Sequence, residues 1–477
     1  MRVHRDELLS PPSSTTAGWA AGAWLLLATA GAAAAQPAPT VSLGQAVARA
    51  LAQNLDVVQA AESVRARELS LRVASAAFRP SILPSASGAL GRSQLANQNY
   101  GLAVSQRLPF GTEVRGNVTS LSSRNQLGTY FFTDTTLLVS QPLLRGFGRE
   151  FARRNVDGAE TALGDARRQR ELRRQQVALD TAGAYIALVG RQVYLQVADR
   201  AVDRALALRE ESVAKLSAGR VSRLDVLRAE QLVAQARAQQ VDTRAAVDDA
   251  KDQIRLLMNA PPDYDFAVVP NVPPAPPVPA EDDALALALQ HRTEIATARD
   301  TVDQAERSLR LARRGRLPQL DLQLGVTRQD VADRPLRGFG LNGFQLATMA
   351  SVSLPVFNDQ QDVDYQMAIM ERGQRARELE AQQRRVTVEV RRAVREQRRA
   401  EQSAALARDS VELSRREVEV ARLRFARGLS SNLDVVSAEA SLLGAESQAI
   451  GADGQVTLSR LAVLAATGTL NPDTAFP

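Results

Sequence analysis

The sequence predicts a mainly α-helical chain with a membrane β-barrel component, arranged as an internal two-fold repeat. Three observations carry that fold class. First, the motif Gly219-Arg-Val-Ser-Arg-Leu-Asp-Val-Leu-Arg-Ala-Glu230 returns as Gly428-Leu-Ser-Ser-Asn-Leu-Asp-Val-Val-Ser-Ala-Glu439, with Asp225 and Asp434 at the same offset of 209 residues. Such self-similarity marks two copies of one structural unit. Second, two proline-free stretches, about Gly148 to Ser217 and Asn358 to Arg427, are rich in Ala, Leu, Arg, Gln and Glu. As a continuous helix, each would span on the order of 100 Å. Third, segments in both halves alternate apolar and polar residues, the period of a β-strand.

The chain opens with Arg2 and Arg5, then an apolar run from Ala17 to Ala35 centred on Trp24-Leu-Leu-Leu27, with Ala33-Ala-Ala35 before Gln36. A basic start, an apolar core and a small-residue cleavage site define an export signal over residues 1–35. A membrane anchor is the competing reading, and the abundant alanine and the A-x-A end favour the signal. No later segment is apolar for the ~20 residues a spanning helix needs.

Loss of the signal would remove Trp19, Trp24 and His4, leaving His291 as the sole histidine in a chain with no cysteine. That composition argues against nucleophilic triads, thiol chemistry, His/Cys metal sites and a lipid-anchored N-terminus. No catalytic residue, cofactor or metal is expected. Carboxylate-only catalysis remains open in principle, but the acids sit in helix patterns beside arginine. Net charge is +6, and Lys215 and Lys251 are the only lysines. Pairs such as Arg391-Arg392 and Arg398-Arg399 are interleaved with Glu396-Gln397. This is the mixed pattern of solvated helix faces, so no nucleic-acid partner is expected.

The first repeat, residues 36–259, opens at Ser42-Leu-Gly-Gln45, a capping-box spacing that predicts a helix to about Ala77, stopped by Pro80 and Pro84. Alternation follows at Leu102, Val104 and Leu108, at Val114, Gly116 and Val118, and near Tyr130-Phe131-Phe132. Residues 260–280 hold eight prolines and predict a stiff, non-helical linker. The second repeat, residues 281–470, echoes the first: Leu289-Gln-His-Arg-Thr-Glu294 matches Leu51-Ala-Gln-Asn-Leu-Asp56, and Pro318 matches Pro80. Leu320, Leu322, Leu324 and Val326 then alternate with polar residues, and Leu346, Ala350, Val352 and Leu354 form another run. Residues 471–477 are a tail. Each half thus predicts about two strands of the length a tilted membrane strand requires.

The long helices predict two hairpins turning at Gly219 and Gly428. Their second arms carry a 3,4 spacing at Leu224, Leu227, Gln231, Ala234, Ala238 and Val241, and at Leu433, Val436, Ala440, Leu443, Ser447 and Ile450. That period predicts coiled-coil packing along this stripe. A membrane sheet must close, and bacterial barrels have at least eight strands, so about four strands per chain cannot close alone. Three chains supply about twelve strands and a ring of long helices.

The signal, the repeated order of helix, proline, strand pair and hairpin, and the two Gly-x-x-Ser-x-Leu-Asp-Val motifs resemble the TolC-like outer-membrane efflux proteins (outer-membrane factors). Val139-Ser-Gln-Pro-Leu-Leu144 with Gly146-Phe-Gly148, and its counterpart Val352-Ser-Leu-Pro-Val-Phe357, resemble that family's strand-to-helix junctions. The likeness runs from roughly Thr40 to Leu470. It implies a homotrimer in which a twelve-stranded barrel in outer-membrane lipid continues into a long trimeric α-helical tunnel through the periplasm. It also implies passive conduction of small molecules or secreted protein, with a periplasmic adaptor (membrane fusion) protein and an inner-membrane pump as partners.

By that resemblance, the tips Gly219, Arg220, Val221, Ser222 and Gly428, Leu429, Ser430, Ser431 would be adaptor-docking turns. Asp225 and Asp434, with Phe425, would line the pore aperture. Rings of carboxylates there would favour cations. Capping is the alternative reading, because Ser222-x-x-Asp225 and Ser431-x-x-Asp434 have capping-box spacing and an acid in the first turn complements the helix dipole. Ser437 and Ser430 stand where the family can carry an acid and a gating arginine, and Phe425 stands where it can carry tyrosine, so a gate held more by helix packing is expected. Phe131, Phe132, Phe339 and Phe344 suit an aromatic girdle or ordinary strand burial. The rival to a channel is a non-channel exported coiled-coil scaffold with small soluble hairpins, and a carboxylate enzyme is a more distant one.

Overall fold

A computed structural model describes residues 39–90, 95–125, 128–270, 276–334, 343–353 and 359–476. The expected signal, Phe339 and most of the Val352–Phe357 junction lie outside the described residues.

A two-residue strand, β1 (Thr40–Val41), precedes α1 (Leu43–Gln53) and α2 (Leu55–Ala76). Ser42 closes the expected capping box with Gln45. The single helix expected to Ala77 is two helices, because Asn54 leaves the helical conformation and caps α2 through Asp56 N–H at 3.0 Å. The second half breaks at the matching position, where Arg292 separates α6 (Glu281–His291) from α7 (Thr293–Gly315).

The sheet is richer than expected. β2 (Ser81–Leu90), β3 (Leu95–Arg107), β4 (Glu113–Asn125) and β5 (Gly128–Pro142) come from the first half. After the short β6 (Ala267–Val268), the described part of the second half adds β7 (Gln319–Ala332) and β8 (Gln345–Ser353). The order β2-β3-β4-β5-β7-β8 makes one antiparallel sheet of six strands. The expected sheet of about four strands per chain is therefore corrected to six among the described residues. The interval after Pro80 is long enough for two hairpins, and alternation alone did not separate β2 from β3.

A short α3 (Arg149–Ala152) leads into α4 (Arg154–Ser217), of 64 residues, which turns back as α5 (Arg223–Leu257). The second hairpin pairs α8 (Asp359–Ala426), of 68 residues, with α9 (Asn432–Ala466). At 1.5 Å per residue the long arms reach about 100 Å. No described helix is long and apolar enough to cross a membrane.

The largest core lies where the short elements meet the hairpins. Tyr185, Leu188, Ile254, Met258, Phe266 and Leu461 are fully or nearly fully buried there. The linker takes part in it, since β6 pairs in parallel with β1 and Tyr264 stacks near Phe266. The Tyr185 hydroxyl lies 3.0 Å from the carbonyl oxygens of Val41 and Val269, donates to one of them, and accepts Val269 N–H at 3.1 Å. A buried phenol without such partners would be costly.

Candidate functional site

The hairpin tips are built by glycine. Gly219 and Gly428 take φ of +68° and +74°, a region that costs an L-residue roughly 1 kcal/mol or more. Each accepts the reversal that ends a long arm. Arg220 N–H then reaches back to Lys215 O and Leu429 N–H to Arg424 O, both at 2.9 Å. These bonds satisfy carbonyls that the helix end would leave bare.

Beyond the turns the two copies diverge. At the first tip, Ser222 Oγ accepts Asp225 N–H at 3.2 Å, and Asp225 Oδ2 accepts the Ser222 N–H at 3.0 Å and its hydroxyl at 2.7 Å. Arg228 adds an ion pair at 3.7 Å. The Ser222 hydroxyl, its N–H and Arg228 together hold the Asp225 carboxyl below the usual carboxylate range. At the second tip, Ser431 makes no side-chain cap bond. Asp434 is exposed, and its carboxylate has no hydrogen bond or ion pair among the described residues. Leu429 is largely exposed, whereas the Ser430 hydroxyl is buried without a partner.

Asn432 replaces Arg223 in the repeat and accounts for much of the difference. It is fully buried, and its amide donates to Ser212 Oγ at 3.1 Å and to Asp225 O at 2.8 Å. One tip thereby holds the other. Phe425 is 2% exposed and packs with Leu208, Ala229, Val435 and Leu442 between the hairpins. Lys215 Nζ sits 3.6 Å from the Phe425 ring centroid and donates to Phe425 O at 2.7 Å, a cation–π contact combined with a helix-end bond. In this conformation Phe425 faces the interhairpin core and not an open channel. Farther up, buried Glu439 accepts Arg204 of α4 at 2.7 Å and Arg422 of α8 at 2.5 Å. Its counterpart in the first copy, Glu230, is exposed.

The expected seam is displaced. Leu224, Leu227, Gln231, Ala234, Ala238 and Val241 are all exposed, and the buried face of α5 is Val226, Ala229, Val233, Ala236, Thr243 and Val247. In α9 the buried face is Asn432, Val435, Ala438, Glu439, Leu442 and Ala445, while Leu433, Ala440 and Ser447 are exposed. The 3,4 pattern exists on both faces. The chain uses one internally; on the other, Leu224, Leu227, Val241 and Leu433 are exposed, whereas Val436, Leu443 and Ile450 are half-buried.

A polar-and-apolar division also runs through the sheet. Paired residues on neighbouring strands share a face. Ile82, Leu102, Val104, Val114, Val118, Leu137, Val139, Leu324, Val326 and Leu346 fall on one face by register. Ser85, Ala103, Asn117, Thr119, Thr136, Thr327 and Ser351 fall on the other, which is more polar but also carries Leu83, Leu121, Phe132, Leu138, Val331 and Met349. Phe131 is buried, Phe132 is exposed and Phe344 is half-buried, so these aromatics do not share one environment.

A sheet with one face rich in apolar residues, long paired helices and a plan present in two copies are the features of one chain that the expected outer-membrane class requires. A profile of outer membrane efflux proteins matches residues 46–260 and 284–469, and the chain belongs to the outer membrane efflux protein family. Membership makes it an outer membrane efflux protein. Its fold is similar to VceC of Vibrio cholerae (TM-score 0.69, 17% identity, 89% of this chain and 96% of that one). It is similar to the CmeC channel of Campylobacter jejuni (0.67, 16%, 91% and 86%). It is also similar to the open MtrE channel of Neisseria gonorrhoeae (0.65, 19%, 91% and 90%). A search of curated proteins found no match.

Proposed function

We propose that the chain works as a homotrimer, the outer-membrane conduit of a tripartite efflux or type I secretion system. Substrate passes through it passively from a periplasmic adaptor and an inner-membrane pump, without catalysis by this chain. The observation that carries this reading is incompleteness in both layers. Among the described residues the sheet ends in two unpaired edges, β2 and β8, and the hairpins expose apolar residues at Leu224, Leu227, Val241 and Leu433. Unpaired edges cannot face lipid, and exposed leucines are poorly placed in water. A second and third copy satisfy both at once.

Within that assembly, the tips 219–222 and 428–431 are the adaptor-docking turns. The aperture ring is assigned to Asp434, so that three carboxylates face the constriction. Asp225 is engaged as a cap, and Phe425 supports the gate from inside by packing. The repeats at 36–259 and 281–470, with the linker 260–280, are the units that alternate around the ring. Membrane extraction tests the reading: a heat-modifiable trimer that requires detergent is expected. A monomer soluble without detergent would return the exported coiled-coil scaffold.

A further inference from the structure

The two repeats are unequal in one place, and the excess is a β-hairpin. Pro80 and Pro318 set β2 beside β7 in the repeat, and the junction prolines Pro142 and Pro355 set β5 beside β8. Among the described residues, no strand of the second half corresponds to β3 and β4. These two strands, with their turn at residues 108–112, lie between β2 and β5 in the sheet. The hairpin is held like the rest of the wall. β3 pairs with β4 without interruption from Asn99–Leu121 to Arg107–Glu113, and β4 pairs with β5 from Glu113–Ser140 to Asn125–Gly128.

Its side chains repeat the two-faced pattern of the neighbouring strands. Leu102, Val104, Val114 and Val118 continue the apolar face of Ile82, Leu137, Val139, Leu324 and Val326. Ala103, Asn117 and Thr119 continue the polar one. Leu102 and Val104 are 41% and 37% exposed, as Ile82 and Leu324 are more so. A hairpin standing in water has no use for a continuous apolar face on one side only, whereas a membrane wall requires one. The band stops where Ser120, Ser122, Thr133 and Thr135 occupy the same face and are buried, with Ser120 and Thr133 hydroxyls 3.1 Å apart.

We infer that β3–β4 is an inserted membrane hairpin and that three copies of this chain, joined edge to edge from β8 to the next copy's β2, close an eighteen-stranded barrel. The inference rests on the trimeric reading above and replaces the twelve-stranded barrel expected from the sequence. Size supports it. With strands about 4.8 Å apart and tilted by about 40°, eighteen strands give a perimeter of roughly 110 Å, against roughly 75 Å for twelve. Twelve long helices packed 8–10 Å apart give roughly 100–120 Å. The wider wall therefore continues the helical ring with little taper. The outer duct would admit bulkier cargo than a twelve-stranded one, since barrel diameter grows about linearly with strand number.

Imaging of the unmodified protein in nanodiscs by electron cryomicroscopy tests this by counting strands, and eighteen per trimer is expected. The chain has no cysteine, so single-cysteine probes give a second readout. Fluorophores on Val104→Cys and Val118→Cys should be quenched by doxyl lipids, while Ala103→Cys and Asn117→Cys should react with a membrane-impermeant thiol reagent. A trimer with twelve strands, or probes at 104 and 118 that water reaches and lipid does not, would overturn the inference and leave the channel reading intact. A protein that forms no trimer would overturn both.

Discussion

At the residue scale, the two copies of the Gly…Ser-x-Leu-Asp-Val motif do different things. Ser222 and Asp225 form a reciprocal cap, while Ser431 and Asp434 do not. Ser222→Ala should therefore lower stability by about 1 kcal/mol, and Ser431→Ala should be near neutral, as thermal melts of the detergent-solubilised protein would show. The pH dependence has a definite sign. The Asp225 carboxyl is held below its ordinary range, chiefly by the Ser222 hydroxyl. Its contribution is complete above the unfolded-state value and is lost as pH falls through the lower folded-state value. Hydrogen exchange at the start of α5 should accelerate only in that acid window. Asp434 should govern permeation instead: Asp434→Ala is expected to abolish most cation preference in planar bilayers, and Asp225→Ala to leave it nearly unchanged. Equal effects of the two substitutions would contradict the single-ring aperture.

The motif spacing showed both aspartates but could not separate them. The deciding groups are Asn432, which reaches Asp225 O, and Glu439, which ties α4 to α8 and α9. The only sequence sign of Asn432 was its mismatch with Arg223. Glu439 gave none, because Glu230 matches it and is exposed. Replacing Glu439 with Gln would leave Arg204 and Arg422 without their shared carboxylate. The expected loss is about 1–3 kcal/mol, tempered because Arg422 is partly exposed.

At the element scale, the long arms, their glycine turns and the helix–proline–strand order were readable from proline absence, glycine placement and periodicity. The helix break at Asn54 was not, because the apolar pattern runs through it and a single capping side chain decides. The coiled-coil seam was misplaced by one face for a related reason. Small and apolar residues occupy two faces of α5, and only tertiary packing, against α4 and at Ala229 also against the second hairpin, selects the buried face of Val226, Ala229 and Val233. This gives a test at the same scale. Leu224→Glu with Leu227→Glu should leave the hairpin of one chain intact, because neither residue packs within it, and should convert trimers to monomers in native mass spectrometry. Val226→Glu should instead unfold the tip.

At the scale of the whole molecule, the sheet and the hairpins share one property: in the proposed trimer, each is finished by another copy. A helical layer with an apolar stripe on both sides, and a sheet with two free edges, have no closed arrangement in a single chain. In that assembly the six-stranded sheet would make the outer duct wide, and the tips would make the periplasmic end narrow. Selectivity should therefore reside at Asp434 and its neighbours, and the barrel should set only an upper limit on cargo size.

By itself, the sequence determined the class of structure: a duplicated plan, arms of about 100 Å, alternating strands and glycine tips. These follow from local rules of backbone geometry, proline and periodicity, which act over a few residues and are written in each segment. Tertiary structure alone decided the number of strands in the wall, the face on which the hairpins pack, and which aspartate is free. Those depend on partners far away in sequence, Asn432 against Asp225 and β5 against β7. Two faces of equal apolarity, or two identical motifs, become different only when something packs against one of them.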